Sequence, residues 1–308
     1  MNSNPFLPIH QKPDWIKTRL PTGEAEAKYE SVKALTKEKR LHTICVEAKC
    51  PNINECWRGG TATFLLMGDI CTRYCRFCAT KSSRAGVAMH DLADEPENLA
   101  AAVEEMKLQY IVLTSVDRDD LSDQGSQHFA DCIKAVKKRT PHVVVETLIP
   151  DFRGDTVCIK RVLDADPDVL SHNLETVKEL QNEVRDNRAN YAQSLSVLAI
   201  AKSIKPAIFT KSALMLGLGE TDLQIKEAMD DLRKINCDIL TLGQYLQPTK
   251  RHLAVKQFIH PEKFKEWETV GKEKGFLYVA AGPFVRSSYR AGEFFMKNVI
   301  LKKRGTRV

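Results

Sequence analysis

Six short apolar runs recur along the chain, at 61–67, 110–116, 143–149, 168–172, 208–216 and 238–244. Amphipathic stretches lie between several of them. Residues 96–107 put Leu99, Val103 and Met106 on one stripe, 127–139 do so with Phe129, Ile133 and Val136, and 222–235 with Leu223, Met229 and Leu232. Residues 261–274 carry Phe264 and Trp267. A spacing of three to four is that of a helix face, and a short run that is apolar at nearly every position suits a strand covered on both sides. Six strand–helix repeats of this kind predict a parallel sheet covered by helices, because parallel strands need long crossovers. The pattern alone fits either an open doubly wound sheet or a partial barrel. In both, functional residues belong at the C-terminal ends of the strands.

The 308 residues suffice for one large domain or two ordinary ones, and 43% hydrophobic with 28% charged residues is ordinary for a soluble globular protein. No apolar run reaches the length of a membrane-spanning helix, so no membrane partner is expected. Residues 1–57 read as an extension with one helix over 24–39. Its first 21 residues are polar and proline-punctuated, include Asp14 and lack an apolar centre. They look like neither a secretory signal nor a transit peptide, which predicts a cytoplasmic protein. Net charge is +6, with a basic tail of Lys302, Lys303, Arg304 and Arg307. A solvated tail is the simpler reading, and no nucleic-acid signature accompanies it.

Six of the nine cysteines fall within residues 45–78. Cys71-x3-Cys75-x2-Cys78 follows the first apolar run, and Cys45-x4-Cys50-x5-Cys56 lies upstream. In a reducing compartment such clusters point to metal rather than disulfides. Each set counts three, and three ligands neither close a tetrahedral zinc site nor fill a four-iron cube. One metal position is thus kept for something else, unless a distant residue completes a zinc site. Cys132, Cys158 and Cys237 lie in or beside predicted helices and read as small buried hydrophobes.

The second trio, with Phe77 before its last cysteine, resembles the signature of the radical S-adenosylmethionine (SAM) superfamily. The resemblance implies a partial (β/α)6 TIM-type barrel. It also implies a 4Fe–4S cluster held by Cys71, Cys75 and Cys78, whose open iron binds SAM and whose electron splits it to a 5′-deoxyadenosyl radical. Ala213-x-Met215-x-Gly217-x-x-Glu220 is similar to a stretch that flanks the adenine in that superfamily, although Ala213 stands where glycine is usual. Asn173 and Glu175 are then candidates for ribose and for the methionine amine, or else ordinary helix caps. Lys211 and Ser212 are weaker candidates for SAM contact.

Cys45-Val-Glu-Ala-Lys-Cys50-Pro-Asn-Ile-Asn-Glu-Cys56-Trp resembles the auxiliary-cluster motif of the lipoyl synthase family. The likeness extends through Asp69-x2-Thr72-Arg73, residues 115–121, Glu146-x3-Pro150-Asp151-Phe152, His172-Asn173-x-Glu175, residues 243–248 and Arg286-Ser287-Ser288-Tyr289. It implies a second 4Fe–4S cluster on Cys45, Cys50, Cys56 and Ser288, spent as the source of sulfur. The residues alone do not separate Ser288 from Ser287. An oxygen ligand suits iron–sulfur chemistry less well than thiolate, which fits a cluster meant to come apart. The implied reaction inserts two sulfurs, at C6 and C8 of an octanoyl chain on lysine of a lipoyl carrier domain. That carrier would be a 2-oxoacid dehydrogenase E2 or a glycine cleavage H protein. A flavodoxin or ferredoxin reductant and an iron–sulfur carrier protein are implied too. Expected boundaries are 1–57 for the extension with the auxiliary cysteines, 58–280 for the barrel, and 281–308 for the serine segment and tail. Rival readings are another sulfur-inserting radical SAM enzyme and a noncatalytic cluster scaffold.

Overall fold

A computed structural model describes residues 12–16, 24–47, 50, 52–58, 60–288 and 299. The basic tail and Tyr289 lie outside the described residues. Eight strands form one sheet: β1 (His42–Thr43), β2 (Thr61–Leu66), β3 (Tyr110–Ser115), β4 (Val144–Leu148), β5 (Val169–Ser171), β6 (Phe209–Leu216), β7 (Ile239–Gln244) and β8 (Tyr278–Gly282). Strands adjacent in the chain are adjacent in the sheet. β2 to β8 run parallel, and β1 pairs antiparallel with β2. β1 and β8 are the two edges, so the barrel is partial and not closed.

Each of β2 to β7 is followed by a covering helix: Glu95–Glu105, Ser126–Arg139, Thr156–Asp164, Tyr191–Ile204, Asp222–Lys234 and Pro261–Glu273. Their starts are fixed by local chemistry. Asp155 accepts from the N–H groups of Val157 and Cys158, Asn190 from Gln193, and Thr221 forms a reciprocal capping box with Gln224. Burial of β3, β4 and β7 is nearly complete, as expected for strands sandwiched between helices and a filled interior.

The structure adds a seventh parallel strand, β8, to the six expected. Its sequence, Tyr-Val-Ala-Ala-Gly, is too short and too small-sided to stand out as a strand. Gly271 lets the last helix approach it closely, since a Cβ there would stand 2.8 Å from Val279 Cγ2. The N-terminal helix Glu24–Glu38 packs through Tyr29 on Trp57, with ring centroids 5.3 Å apart. Val32, Leu41, Cys45 and Trp57 thereby join the core of the barrel. Among the described residues no helix is long and apolar enough to cross a membrane.

Candidate active site

At the C-terminal ends of the parallel strands lies a cavity of about 690 Å³. Every βα connection from β2 to β5 gives it residues, and so do β6, β7 and the segment after β8. Cys71, Cys75 and Cys78 line it together with Cys45, Cys50, Ser287 and Ser288. Cys56 is buried next to Trp57 and does not reach the lining.

The second trio is held by a dense set of bonds. Cys71 Sγ accepts from the N–H of Arg73 (3.4 Å) and of Asp117 (3.3 Å), and Cys75 Sγ accepts from the N–H of Asp186 (3.3 Å). Thr72 N–H donates to the Asp117 carbonyl at 3.0 Å, and the Thr72 hydroxyl accepts from Asp119 N–H at 3.0 Å. Between the first two cysteines, buried Arg73 forks onto two carboxylates. Its Nε and Nη2 reach Asp119 at 2.9 and 3.1 Å, and its Nη1 and Nη2 reach Asp151 at 2.6 and 2.7 Å. Paired bidentate contacts of this kind fix position as well as charge. They tie the cysteine loop to the ends of β3 and β4 at once.

Electrostatics follow from that packing. Burial pushes the Cys71 and Cys75 thiols up to about 12 and raises Cys78 as well. A bound metal must therefore displace their protons. Burial lifts the Asp117 carboxyl to about 6 although Arg73 opposes it. Burial also pushes Asp151 upward, but its bonds to Arg73 win and hold it at about 2. His172 is driven down to about 4 by burial and by the nearby Arg185 charge. It is neutral in the cavity wall, with Nδ1 2.9 Å from the Ile149 carbonyl and Nε2 2.9 Å from the Ser194 hydroxyl.

Among the described residues the first trio is held by short helices and by Thr63 and Trp57 beside Cys45. Cys45 lies in the short helix Ile44–Glu47 and Cys56 in Ile53–Arg58, and Cys50 N–H donates to the Cys45 carbonyl at 2.9 Å. Burial and Cys50 push the Cys45 thiol up to about 12. The Asn52 side chain donates to the carbonyl of Phe284, joining this trio to the segment after β8. That segment crosses directly over the end of β7. A Cβ at Gly243 would stand 2.0 Å from the Val285 carbonyl oxygen, so only glycine fits there. Arg286 is folded back onto the Val285 carbonyl at 2.7 Å, and its charge opposes the upward push of burial on Cys50.

The sequence-predicted SAM contacts divide. Phe77, Asn173 and Glu175 line the cavity. Lys211, Ser212, Gly217 and Glu220 do not. Lys211 is turned into the barrel interior, where its Nζ is 2.9 Å from Glu146 Oε2; that carboxylate also accepts from the Tyr110 hydroxyl at 2.6 Å. The Ser212 hydroxyl accepts from Leu174 N–H at 3.2 Å. Gly217, at φ +97°, and Glu220 close the turn after β6, the Glu220 carboxylate accepting from the N–H groups of Gly217 and Leu218. Glu175 takes a left-handed φ of 65° and bridges to β6, donating to the Ala213 carbonyl at 3.0 Å and accepting from Met215 N–H at 2.8 Å. Asn173 Nδ2 donates to the Glu175 carboxylate at 3.1 Å.

The residues present fit a cluster and a polar ligand. Three soft thiol donors converge on the cavity. Around them Ser115 Oγ, Asn173 Oδ1 and Thr241 Oγ1 are buried without a hydrogen-bond partner. Orphaned polar atoms are rare unless something satisfies them, and here all three belong to residues that line one cavity. Sequence reasoning did not single out Arg185, Asp186 or Arg188. Their stretch of alternating charges looks like a solvated loop, yet it folds under the cysteines.

The model of the radical SAM superfamily matches residues 65–232. Curated relatives match over nearly the whole chain. A lipoyl synthase of Danio rerio is 52% identical over 297 residues, 95% of this chain and 73% of that protein. One of Trichoplax adhaerens is 52% identical over 99% of this chain and 86% of its own length, and one of Bos taurus is 53% identical over 95% and 78%. Among solved structures, the FeFe-hydrogenase maturase HydG from Carboxydothermus hydrogenoformans superposes with a TM-score of 0.54 at 14% identity, covering 93% of this chain and 72% of its own. Methylornithine synthase gives 0.52 at 10% identity, over 94% and 90%. At that identity they show the fold alone. The expected cytoplasmic location is overturned, because the curated relatives are named mitochondrial, which points to mitochondria. The polar, proline-punctuated start that suggested the cytoplasm speaks only for those residues. The superfamily brings with it a 4Fe–4S cluster and SAM. With half of its length matched by that model and half of its residues shared with these relatives, the chain belongs to the lipoyl synthase family of radical SAM enzymes.

Proposed function

We propose that this chain builds the lipoyl cofactor by inserting two sulfur atoms, at C6 and C8 of an octanoyl chain held on a lysine of a carrier domain. The observation that carries the reading is the meeting of Cys71, Cys75 and Cys78 with Cys45, Cys50 and the serine pair Ser287–Ser288 on one cavity, with Asn52 tying the first trio to the serine segment. One trio without the other suits many reactions of the superfamily. Cysteines of both trios and a serine at one cavity suit a reaction in which one cluster cleaves and the other is consumed.

In this reading Cys71, Cys75 and Cys78 hold the resident cluster, which when bound and reduced supplies radical chemistry through SAM. The work of the chain is to hold and to shield. The N–H groups of Arg73, Asp117 and Asp186 steady the Cys71 and Cys75 sulfurs, and such bonds tune a cluster's potential. Ser115, Asn173 and Thr241 offer their free polar atoms to the ligand, while Glu175 and Phe77 border it. Neutral His172 keeps a positive charge out of the wall. Cys45, Cys50, Cys56 and Ser288 hold the sulfur donor, which is a substrate of the enzyme. Residues 1–57, 58–280 and 281–308 divide these tasks as auxiliary-cysteine extension, barrel and serine segment. A low-potential protein such as flavodoxin or ferredoxin supplies electrons, and an iron–sulfur carrier protein restores the spent cluster. The carrier domain belongs to a 2-oxoacid dehydrogenase E2 or to a glycine cleavage H protein.

Anaerobic incubation with SAM, dithionite and an octanoyl-lysine peptide tests the reading. Mass spectrometry should find two sulfur atoms gained and deoxyadenosine released. Deoxyadenosine without sulfur gain would retain the superfamily and refute this function.

A further inference from the structure

The loop 71–78 has one face toward the cavity and another toward solvent. On the solvent face, next to Cys75, Tyr74 is 52% exposed and is the one aromatic among the exposed large hydrophobic residues described. Its N–H donates to Asp186 Oδ2 at 2.8 Å, and the N–H of Asp186 donates to Cys75 Sγ at 3.3 Å. The ring thus stands at the surface one residue from a thiol of the resident-cluster set. Exposed tyrosines beside arginines are the side chains most enriched where proteins dock.

Charge around Tyr74 is layered. The Asp119 and Asp186 side chains are 6% and 5% exposed, whereas those of their partners Arg153 and Arg188 are 54% and 40% exposed. Arg153 Nε is 3.0 Å from Asp119, and Arg188 joins Asp119 at 3.3 Å to Asp186 at 2.8 Å. These contacts run without a break from Arg153 to the backbone of Tyr74, so the patch is continuous. Arg76, exposed on the same loop, extends it. Carboxylates point inward and guanidinium groups outward. The exposed Glu183 nearby is paired with Lys256 at 3.2 Å, and exposed Asp155 is engaged as a helix cap. Solvent therefore meets a positive rim around an aromatic centre.

We infer that Tyr74 and its arginine rim are the docking surface of the electron donor, a small protein with an acidic face and a one-electron centre. The inference rests on the radical reading above, which requires an electron to reach a cluster screened by the cavity wall. Tyr74 and Cys75 are adjacent in the chain, and that makes this face the short way in. The donor loses one electron and the cluster on Cys71, Cys75 and Cys78 gains it. No covalent bond changes and no proton moves at this surface. Complementary charge speeds such encounters and weakens with salt, since screening sets in over about 8 Å at physiological ionic strength.

The test compares the unaltered holoenzyme with Tyr74→Ala and with the double variant Arg76→Ser, Arg153→Ser. Ferredoxin is the probe. Its binding is read by fluorescence anisotropy, and deoxyadenosine release is followed with reduced ferredoxin and separately with dithionite. The double variant should raise the Kd for ferredoxin about tenfold at low salt, with the difference fading as salt is added. Tyr74→Ala should weaken binding at every salt concentration. Ferredoxin-driven release should fall in step in both, while dithionite-driven release and iron content stay at the unaltered level. Unchanged ferredoxin binding overturns the inference. So does an equal loss with both reductants, which would make these residues supports of the loop. So does a raised KM for the octanoyl-lysine carrier with ferredoxin binding intact, which would give the surface to the substrate. Loss of sulfur insertion by the unaltered enzyme with dithionite would instead sink the functional reading and leave the binding result standing.

Discussion

Cys71, Cys75 and Cys78 sit in a loop bonded to the connections after β3, β4 and β5, whereas Cys45 and Cys56 sit on short helices and Cys50 between them. Around the first group stand Arg73, Asp119, Asp151, Asp186 and Arg188 in one ionic lattice with mostly buried carboxylates. Around the second stand the Asn52–Phe284 bond and a C-terminal segment that crosses over Gly243. The contrast matches two different demands. A cluster used in every turnover needs ligands that do not move. A cluster that gives up its atoms needs ligands that let iron go and take it back. Under the proposed function, the ionic lattice on one side of the cavity and the fewer bonds among the described residues on the other are parts of one mechanism.

The comparison breaks most sharply at the ligands. Cys71→Ala should abolish deoxyadenosine release and, with it, all sulfur insertion, while iron falls from about eight to about four per chain. Cys50→Ala should also end sulfur insertion and halve the iron, yet deoxyadenosine release should persist. Liquid chromatography of reaction mixtures with iron analysis separates the two outcomes. Loss of both activities in Cys50→Ala would mean that the trios are not independent.

Stability should report the difference in anchoring. Arg73→Ala leaves the buried Asp151 carboxylate without its cation, while Asp119 keeps Arg153 and Arg188, and breaking a buried pair from one side costs about 3–5 kcal/mol. Asn52→Ala removes one partly buried hydrogen bond, a loss of about 1 kcal/mol. Anaerobic urea denaturation measures both, and equal losses would erase the proposed contrast. Between them in size is a pH effect at the wall shared by the two groups. His172 titrates at about 4 in the fold against an ordinary value of 6.5. Above pH 6.5 neither state binds the proton. Below it the unfolded chain does and the folded chain does not, so stability falls as pH drops toward 4, by about 3 kcal/mol from this residue. His172→Gln should lack that part of the decline. An unchanged pH–stability curve in the variant would contradict the buried neutral imidazole.

Much of this was legible in the sequence. The β2 to β7 strands announce themselves because both faces are covered and most of their residues are apolar. The cysteine spacings announce convergence because short loops bring thiols together. Tyr191–Ile204 was harder to single out, since Tyr-Ala-Gln-Ser-Leu-Ser-Val-Leu-Ala-Ile-Ala-Lys-Ser-Ile carries small and apolar residues on most faces and shows little stripe. β1 has only two residues, and its pairing depends on β2. Lys211 shows where spacing runs out. Lying on a strand whose far end meets the cavity is not the same as reaching it, and Lys211 is instead held in the barrel interior by its ion pair with Glu146. The Arg73 lattice was half visible, as an arginine between ligands and as acidic residues after β3. That Asp151, 78 positions away, completes the fork follows only from the curl of the sheet.

The central claim is that two separate iron–sulfur sites open onto one cavity. Mössbauer spectroscopy on anaerobically reconstituted ⁵⁷Fe protein tests it directly, using the unaltered chain, a Cys71→Ala, Cys75→Ala, Cys78→Ala variant and a Cys45→Ala, Cys50→Ala, Cys56→Ala variant. The account predicts two 4Fe–4S clusters in the first protein and one in each variant, and of the two variants only the second should still bind and cleave SAM. A single cluster in the unaltered chain, or the loss of all cluster iron in either variant, would contradict it.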